Sequence, residues 1–386
     1  METSQRLHVV DALRGFAIVS IMLLHNIEHF DFYYFPQNLP EWMKLLDGKT
    51  WEIMFFLFGG KSYAIFSLLF GLTFFIQDNN QQKKGKDFRG RFAWRLLLLL
   101  GFGLINSAFY EGDILTFYAL VGFALIPVAR LNTKTVLIIA SILMLQPYEW
   151  YNFFFGLQHP EIAVSNPESW AYFGRAGEYI PGDSLLKTMY GNLTNGKTGV
   201  FIWCWEEGRV FQTAALFMLG MVAGRMNLFS QSKGNMKFWF ITLLVAVLSF
   251  VLLYYLKLNI AEWIQAGAVQ RPLLRIVTSV SNVSFMFVLV SSFVLLFFTV
   301  ASKVLHIFSS LGKMSMSNYI MQSILGSFIY YGFGLGLYQY TGASYSMLIG
   351  VALAVFQGVF SSWWMKNHKQ GPLESIWHKL TWIGGK

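Results

Sequence analysis

Ten apolar runs most tightly constrain how this chain of 386 residues can fold. Several of these runs approach the roughly 20 residues that an α-helix needs to cross the hydrocarbon core of a bilayer. Hydrophobic residues make up 55% of the chain and charged residues only 13%, a composition typical of integral membrane proteins. We therefore predict an all-α, polytopic transmembrane helical bundle that forms one integral membrane domain over residues 1–386. The ten predicted spans are roughly 9–27, 52–76, 92–109, 114–130, 135–151, 210–225, 238–256, 280–300, 315–337 and 344–365.

The distribution of Lys and Arg predicts that both termini face the cytoplasm. With the N-terminus inside, basic residues are about twice as frequent in the inner segments as in the outer ones, as the positive-inside rule expects. The densest basic run, residues 83–95, suits anionic lipid headgroups. The net charge of +9 is therefore attributed to topology and to membrane lipids as partners. No nucleic-acid partner is expected.

Two segments outside the spans are predicted to be ordered. Residues 152–209, on the outer side, are rich in aromatic side chains, which argues against disorder. We expect a folded cap there, with a short interfacial helix near 169–179. Residues 371–383 fit an amphipathic helix along the inner surface, with Pro372 in its first turn. The single cysteine, Cys204, excludes an intrachain disulfide and a cysteine-based metal cage.

The first span carries ionisable side chains along one face. At about 100° per residue, the eleven steps from Arg14 to His25 bring the helix back to within roughly 20° of the same direction. The two side chains then lie about 16 Å apart along one stripe. Asp11 and His29 fall near the same stripe by three- and four-residue spacing. Because ionisable groups inside a bilayer are costly and usually functional, the stripe predicts an intramembrane site.

His25 is the leading candidate for a catalytic residue, because an imidazole can accept or donate a proton near neutral pH. Arg14 offers a planar fork of donors to an anion, with Asp11 as its local partner. The structural alternatives are a packed histidine and a salt bridge at the helix end. His25 and His29 could share a zinc ion if a third ligand converged. No metal site is predicted, because the sequence contains no H-E-x-x-H motif.

Other polar residues are assigned to substrate binding around the same cavity. Lys61 interrupts the second span, and Glu111 and Asp113 lie at the turn between the third and fourth. Each has a structural alternative: snorkelling for the lysine, helix capping for the acids, helix–helix hydrogen bonds for amides and an ion pair for arginine. The full set is Lys61, His29, Asn26, Glu111, Asp113, Asn318, Gln322 and Arg209.

Five segments carry a resemblance to a known family: LHVVDALRGFAIVSIMLLHNI, YEGDIL with the following TFYAL, EEGRVFQTAALFMLGMVAGR, GKMSMSNYIMQS and GPLESIWHKLTW. They resemble the YeiB-like membrane proteins, whose C-terminal half bears a domain of unknown function. That family is distantly similar to transmembrane acyltransferases, including acyltransferase family 3 and the lysosomal heparan glucosaminide acetyltransferase. In family 3 the first helix carries an arginine, ten residues and a functional histidine, a spacing that Arg14 and His25 match. Many YeiB-like sequences have asparagine where this chain has His25, so the histidine favours acyl transfer in this member.

The resemblance implies a multi-pass acyltransferase of a bacterial inner membrane. It would move an acyl group, with acetyl as the first expectation, from cytoplasmic acyl-CoA to a glycan or lipid-linked acceptor on the outer side, with no metal. The rival class is a transporter or flippase of an amphipathic or lipid-linked anionic solute, for which the same stripe would bind solute and relay protons. A third class is a non-catalytic lipid-binding or assembly subunit.

Overall fold

The computed structural model describes residues 8–34, 36 and 38–383, and every regular element in these ranges is a helix. The helices are α1 (His8–Ile27), α2 (Glu41–Phe58), α3 (Ser62–Gln82), α4 (Arg89–Phe109), α5 (Leu115–Gly122), α6 (Leu125–Val128), α7 (Thr133–Met144), α8 (Pro147–Gln158), α9 (Ser169–Gly174), α10 (Leu185–Gly191), α11 (Lys197–Glu206), α12 (Arg209–Arg225), α13 (Lys233–Trp263), α14 (Gly267–Phe298), α15 (Ser302–Leu305), α16 (Ser309–Lys313), α17 (Ser315–Tyr330), α18 (Ala343–Asn367) and α19 (Pro372–Thr381). Short 3₁₀ turns occupy Arg175–Glu178, His306–Phe308 and Leu337–Gln339, and a π-helical turn occupies Asn192–Gly196.

Within the described ranges, six helical stretches are long and apolar enough to cross a membrane, which agrees with the expectation of a helical membrane protein. The prediction of ten spans is not confirmed, nor is the cytoplasmic position of the termini. Residues 1–7 and 384–386, on which the terminal positions partly depend, lie outside the described residues. The six stretches are His8–Ile27, Glu41–Gln82, Arg89–Phe109, Lys233–Trp263, Gly267–Phe298 and Ala343–Asn367.

Backbone breaks explain why several predicted spans are not single helices. The predicted span 52–76 is divided between α2 and α3 at Gly60, which adopts a φ of 74° that favours glycine. The span 135–151 is divided where Gln146 adopts a φ of 58° and Pro147 begins α8. The span 114–130 is divided between α5 and α6. Hydropathy averages over these positions and therefore does not detect the breaks.

Helix α1 lies in the middle of the bundle, where it packs against α3, α16 and α18. A side-chain carbon added at Gly15 would clash with the carbonyl oxygen of Phe308, and one added at Gly312 would clash with that of Asp11. The backbones of α1 and α16 therefore approach each other as closely as small residues allow. This contact anchors the N-terminal half of α1. We call that end of the bundle the inner end, following the predicted topology, and the opposite end the outer end.

Helix α19 lies across the inner end. The Glu374 carboxylate accepts hydrogen bonds from the backbone N–H groups of Met316 and Ser317, 2.7 and 3.1 Å away, at the start of α17. An acidic side chain stabilises a helix N-terminus in this position. On α4, Arg95 donates to the Thr381 hydroxyl at 3.1 Å and stacks 3.9 Å from the Trp377 ring. These contacts tie α19 to both α4 and α17.

The segment 152–209 is helical for much of its length and packs on the outer end. Asn192 donates to the carbonyl oxygen of Ala108 at the end of α4, at 3.1 Å. The Gly332 N–H donates to the Ile180 carbonyl at 2.9 Å, which joins the segment to the loop after α17. We call residues 152–209 the outer segment.

Candidate functional site

Two cavities lie beside α1 and meet near its middle. The inner cavity has a volume of about 390 Å³ and is lined by Arg14, whereas the outer cavity has a volume of about 500 Å³ and is lined by His25. Ile21, Ile114 and Tyr319 line both cavities. We call these three residues the junction. Arg14 and His25 of the polar stripe predicted on the first helix therefore face two adjacent spaces.

The inner cavity combines basic groups with an apolar wall. Phe70 and Leu96 are among the aromatic and leucine side chains that α3 and α4 contribute to the wall. The carboxylate that lines this cavity, Glu374, is engaged by the N-terminus of α17. This lining suits an amphipathic anion, whose charge meets the cations while its apolar part contacts the wall. The cations are Arg14, Arg95, Lys313 and Lys369.

Arg14 has polar neighbours on both α1 and α3. Its Nη2 donates to the Thr73 hydroxyl of α3 at 3.0 Å, and its Nη1 lies 3.4 Å from an Asp11 carboxylate oxygen. Asp11 precedes Arg14 by three residues, so the pair lies on one face of α1. A guanidinium has five N–H donors, and this arrangement orients the fork toward the inner cavity's lining while its charge is partly balanced.

His25 forms the centre of a polar cluster in the outer cavity. Its Nδ1 lies 2.9 Å from the Tyr110 hydroxyl and 3.4 Å from a Glu28 carboxylate oxygen. Tyr110 also hydrogen-bonds to Asp31. When Nδ1 carries the proton and faces these acceptors, Nε2 keeps a lone pair and can accept a proton. A carboxylate beside an imidazole is the arrangement that orients catalytic histidines in hydrolases and transferases.

A left-handed turn brings Asp31 back to this cluster. His29, Phe30 and Asp31 adopt φ values of 50°, 55° and 66°, and the Phe30 N–H donates to the His25 carbonyl at 2.7 Å. Left-handed backbone costs an L-residue about 1–2 kcal/mol, and such strain concentrates at functional sites. Burial, reinforced by the neighbouring Glu28 carboxylate, raises the pKa of Asp31 above its ordinary range.

The same cluster contains the residues best placed to hold a metal ion. His25, Glu28 and Asp31 each offer a ligand atom, and these atoms lie within 4.8 Å of one another. A histidine and two carboxylates are suitable ligands for divalent transition metals. The sequence-based prediction was that no metal binds here. The Tyr110 hydroxyl lies within hydrogen-bonding distance of His25 Nδ1, so the geometry of the cluster suits proton transfer without a metal ion.

Arg209 supplies a positive charge to the outer cavity. Its guanidinium lies 3.9 Å from the centre of the Trp203 ring and 4.4 Å from that of the Tyr63 ring. Stacking uses the faces of the guanidinium and leaves its edge donors available. The outer cavity therefore offers a cation opposite the carboxylates of Glu28 and Asp31, with Trp170 among its aromatic walls.

Of the eleven predicted site residues, Asp11 and seven of the eight assigned to substrate binding line neither cavity, and most of these have partners that hold helices together. His29 is buried, and its Nε2 lies 2.9 Å from the Ser346 hydroxyl at the start of α18. Burial lowers the pKa of His29 to about 4. Asn26 donates to the Met22 carbonyl and accepts a hydrogen bond from the Tyr330 hydroxyl at 3.0 Å. Both residues therefore attach the outer end of α1 to its neighbours.

The two acids of the YEGDIL turn also have structural partners. Asp113 accepts from the backbone N–H and the hydroxyl of Thr116, each at 3.0 Å, and so caps α5. Lys197 of the outer segment donates to the Asp113 carbonyl at 2.8 Å. Glu111 accepts from the Tyr179 hydroxyl at 2.7 Å, and burial raises the pKa of this carboxyl to about 8. The predicted capping alternative describes Asp113.

The remaining predicted residues lie between helices. Asn318 donates to the Ser361 hydroxyl of α18 at 2.9 Å. Gln322 is fully buried, and its amide has no hydrogen-bond partner within the described ranges. Lys61 donates to the Phe55 carbonyl at 3.3 Å and lies 5.6 Å from the centre of the Phe285 ring. Lys61 is thus buried at the α2–α3 break rather than in the outer cavity.

Four residues that the sequence analysis did not assign to the site contribute to it. Glu28 follows His25 by three residues, so helical spacing alone could have identified it. Asp31 reaches the site through a left-handed turn that no local pattern predicts. Tyr110 and Tyr319 come from the end of α4 and from α17, and only the tertiary structure brings them to α1.

These features define an all-helical protein of membrane-spanning type with two cavities that meet beside its first helix. Residues 223–384 match a family described as "Protein of unknown function (DUF418)". This match agrees with the expectation, from the resemblance, of a C-terminal domain of unknown function.

The whole chain is similar to bacterial proteins without an assigned activity. It is 28% identical to "Uncharacterized protein YxaH" of Bacillus subtilis (strain 168) over 410 residues, which cover 99% of this chain and 95% of that protein. It is 22% identical to the "Uncharacterized 39.9 kDa protein in amylase 3'region" of Bacillus acidopullulyticus over 400 residues, which cover 98% of this chain and 94% of that protein. No solved structure matches the chain. None of these names describes acyl transfer or any other activity.

Proposed function

We propose that the protein transfers an acyl group, acetyl in the first instance, from cytoplasmic acyl-CoA to an acceptor on the outer side of a bacterial inner membrane. The observation that carries this proposal is the meeting of two chemically different cavities at Ile21, Ile114 and Tyr319. One cavity has cations for a donor, and the other has a histidine beside a carboxylate for an acceptor. A reaction at the junction could use both without either substrate crossing the membrane.

The inner cavity would hold the donor. The phosphates of coenzyme A would meet the basic residues, for which Arg14 and Arg95 supply guanidinium forks. The pantetheine arm and acyl group would lie along the apolar wall and place the thioester near the junction. Asp11 would keep Arg14 in position through the contact already described.

The outer cavity would hold the acceptor, a hydroxyl or amine of a cell-surface glycan or lipid-linked molecule. His25 would remove the proton from that group as it attacks the thioester carbonyl. The new bond to the acyl carbon forms, the carbon–sulfur bond breaks, and the imidazolium returns its proton to the departing thiolate. Glu28 would orient the imidazole, and Arg209 would bind an anionic part of the acceptor.

The test uses the purified protein in nanodiscs that contain a lipid extract from the source membrane as a supply of acceptor. Acetyl-CoA labelled on the acetyl group is the probe, and donor binding, CoA release and label transfer to the extract are measured. His25→Ala is expected to bind acetyl-CoA normally and to lose transfer by about 10²–10⁴-fold. His159→Ala, which changes an exposed histidine of the outer segment, is the matched control. Full transfer by a well-folded His25→Ala protein would exclude the catalytic role.

A transporter of an amphipathic anionic solute is the second candidate, because two adjacent cavities that share the junction residues also suit alternating access to one solute. Proteoliposomes distinguish the two candidates. Uptake of an anionic amphiphile that depends on Arg14 and yields no covalent product would favour transport. CoA release coupled to label transfer would favour the enzyme.

A further inference from the structure

The junction between the two cavities contains one polar side chain, that of Tyr319. Ile21 and Ile114 are aliphatic, so any polar group that reaches the junction meets the tyrosine hydroxyl. Tyr319 is only 3% exposed, and its position on α17 places it opposite α1. A buried hydroxyl without an acceptor is costly, and such groups ordinarily pair with protein, water or ligand.

The Tyr319 hydroxyl is fixed but not used as a donor. Its oxygen accepts a hydrogen bond from the Ile114 N–H at 3.3 Å. Ile114 stands at the start of α5, which Asp113 caps, so this N–H is itself held in place. Throughout the part of the chain that the structure describes, the Tyr319 hydroxyl donates to no acceptor. Its proton is therefore available to a ligand at the junction.

The other cavity tyrosines do not share this property. Tyr33 donates to the Glu28 carboxylate, Tyr63 to the Gln212 amide oxygen, and Tyr110 pairs with His25 and Asp31. In the inner cavity, the Tyr118 hydroxyl donates to a backbone carbonyl. The free donor thus occurs at the one place where the two cavities meet.

We propose that Tyr319 forms a carbonyl-binding subsite for the acyl thioester, an inference that rests on the proposed function. Its hydroxyl donates to the carbonyl oxygen of the acyl group at the junction. When the acceptor oxygen attacks, the carbonyl π electrons move to this oxygen, and the hydrogen bond stabilises the oxyanion of the tetrahedral intermediate. Tyr319 keeps its proton throughout. The electrons return as the carbon–sulfur bond breaks, and the thiolate takes the proton that His25 removed from the acceptor.

The direct test measures the carbonyl itself. Acetyl-CoA labelled with ¹³C at the carbonyl is bound to the wild-type protein, and isotope-edited infrared difference spectra record the thioester C=O stretch. A hydrogen bond to the carbonyl lowers this frequency. The proposal predicts a band below that of acetyl-CoA in an aprotic solvent, and a return to higher frequency in Tyr319→Phe. It also predicts that kcat falls about 10²-fold while KM for acetyl-CoA changes less than about threefold, because the interaction strengthens in the transition state.

The matched control is Tyr330→Phe, which removes a buried hydroxyl from the same helix but lies outside both cavities. It should leave the carbonyl band and kcat near wild type. If Tyr319→Phe does not fold, incorporation of 3-fluorotyrosine at position 319 keeps the Ile114 contact and should lower the band further, because the fluorinated hydroxyl is a stronger donor.

The results distinguish a failure of the proposed Tyr319 role from a failure of the proposed acyltransferase function. Bound acetyl-CoA with an unshifted carbonyl band in the wild-type protein, or unchanged kcat in folded Tyr319→Phe, overturns the role of Tyr319 and leaves the acyltransferase proposal standing. A wild-type protein that neither binds nor turns over acetyl-CoA or longer acyl-CoA overturns both.

Discussion

The two cavities differ in how their charged groups are held, although both lie against α1. In the inner cavity the basic groups come from α1, α4, α16 and the connection before α19, and they face an apolar wall. In the outer cavity the histidine and the two carboxylates come from one stretch of chain, His25 to Asp31, folded back on itself by a left-handed turn. The first arrangement suits binding of a large anion. The second suits proton transfer, which requires short distances between a few groups.

The two cavities also differ in how the helices around them are held. The outer end of α1 is attached to α18 through buried His29 and to α17 through Asn26. The inner end is closed by α19, a short helix that is fixed to its neighbours by hydrogen bonds and by the packing of Leu373 and Trp377 against the core. Because α19 is a short helix, we predict that it is the most adjustable wall of the inner cavity, whereas the outer cavity keeps its shape.

The largest expected effect is loss of stability in acid through His29. Burial lowers its folded-state pKa to about 4, from an ordinary value of 6.5 in the unfolded chain. As the pH falls from about 6.5 to 4, the unfolded chain binds a proton that the folded protein does not, so the free energy of unfolding decreases. At 1.36 kcal/mol per pKa unit, the loss is about 3 kcal/mol. Thermal unfolding in nanodiscs from pH 8 to 4 measures it.

His29→Gln should flatten this pH dependence, because the amide cannot take up a proton in this range. Its stability at pH 7.5 should fall by about 1 kcal/mol through the altered hydrogen bond to Ser346. His159→Gln, at an exposed position, should keep the wild-type profile. An acid transition that is identical in all three proteins would show that His29 is not the group that destabilises the outer end.

The next effect concerns Glu28 as a positioning residue. Glu28→Gln should lower kcat about 10–100-fold without changing the affinity for acetyl-CoA, because it weakens the orientation of His25 and leaves the inner cavity intact. Glu28→Asp should restore part of the rate, and the pH–rate profile should shift in Glu28→Gln. A decrease in donor affinity equal to the loss of rate would contradict the separation of the two cavities.

Features of the fold that depend on residues close together in sequence can be predicted from the sequence, whereas features that depend on a single backbone angle or on distant contacts cannot. The first span was expected at 9–27 and α1 covers His8–Ile27, because a long apolar run is a local property. Pro372 in the first turn of the last helix was predicted for the same reason. The break at Gly60 depends on one φ angle, which hydropathy does not register.

The residues of the candidate site also fall into those that helical periodicity predicts and those whose role depends on tertiary contacts. Helical periodicity places Arg14 and His25 on one face, and the structure puts each in a cavity. Polar residues such as Lys61 and Asn318 were grouped with them because buried polar groups are often functional. In the structure they bond to neighbouring helices instead, which sequence spacing cannot distinguish from lining a cavity. Tyr319 could not be assigned, because its role depends on a contact with Ile114, 205 residues away along the chain.

A smaller effect is expected from Arg14 in the inner cavity. Arg14→Lys keeps the charge but loses the fork that reaches both Thr73 and an anionic ligand, so Kd for acetyl-CoA should rise about tenfold. Arg14→Gln should weaken binding further and reduce its dependence on salt. The rate of transfer at saturating donor should stay within about threefold of wild type in Arg14→Lys. A collapse of that rate with unchanged Kd would place Arg14 in the chemistry and merge the roles of the two cavities.

The smallest effect tests whether α19 is the most adjustable wall of the inner cavity. Glu374→Gln removes the charge that α17 binds at its N-terminus and should cost about 1 kcal/mol of local stability. Hydrogen exchange followed by mass spectrometry should then show faster exchange across Pro372–Thr381 and no change in the outer segment. Because α19 contributes Trp377 and His378 to the inner cavity, Kd for acetyl-CoA should rise about twofold, while His25-dependent chemistry at saturating donor is preserved. Exchange that accelerates equally at both ends of α1 would mean that the bundle opens as one unit, and the contrast between a fixed outer cavity and an adjustable inner one would not hold.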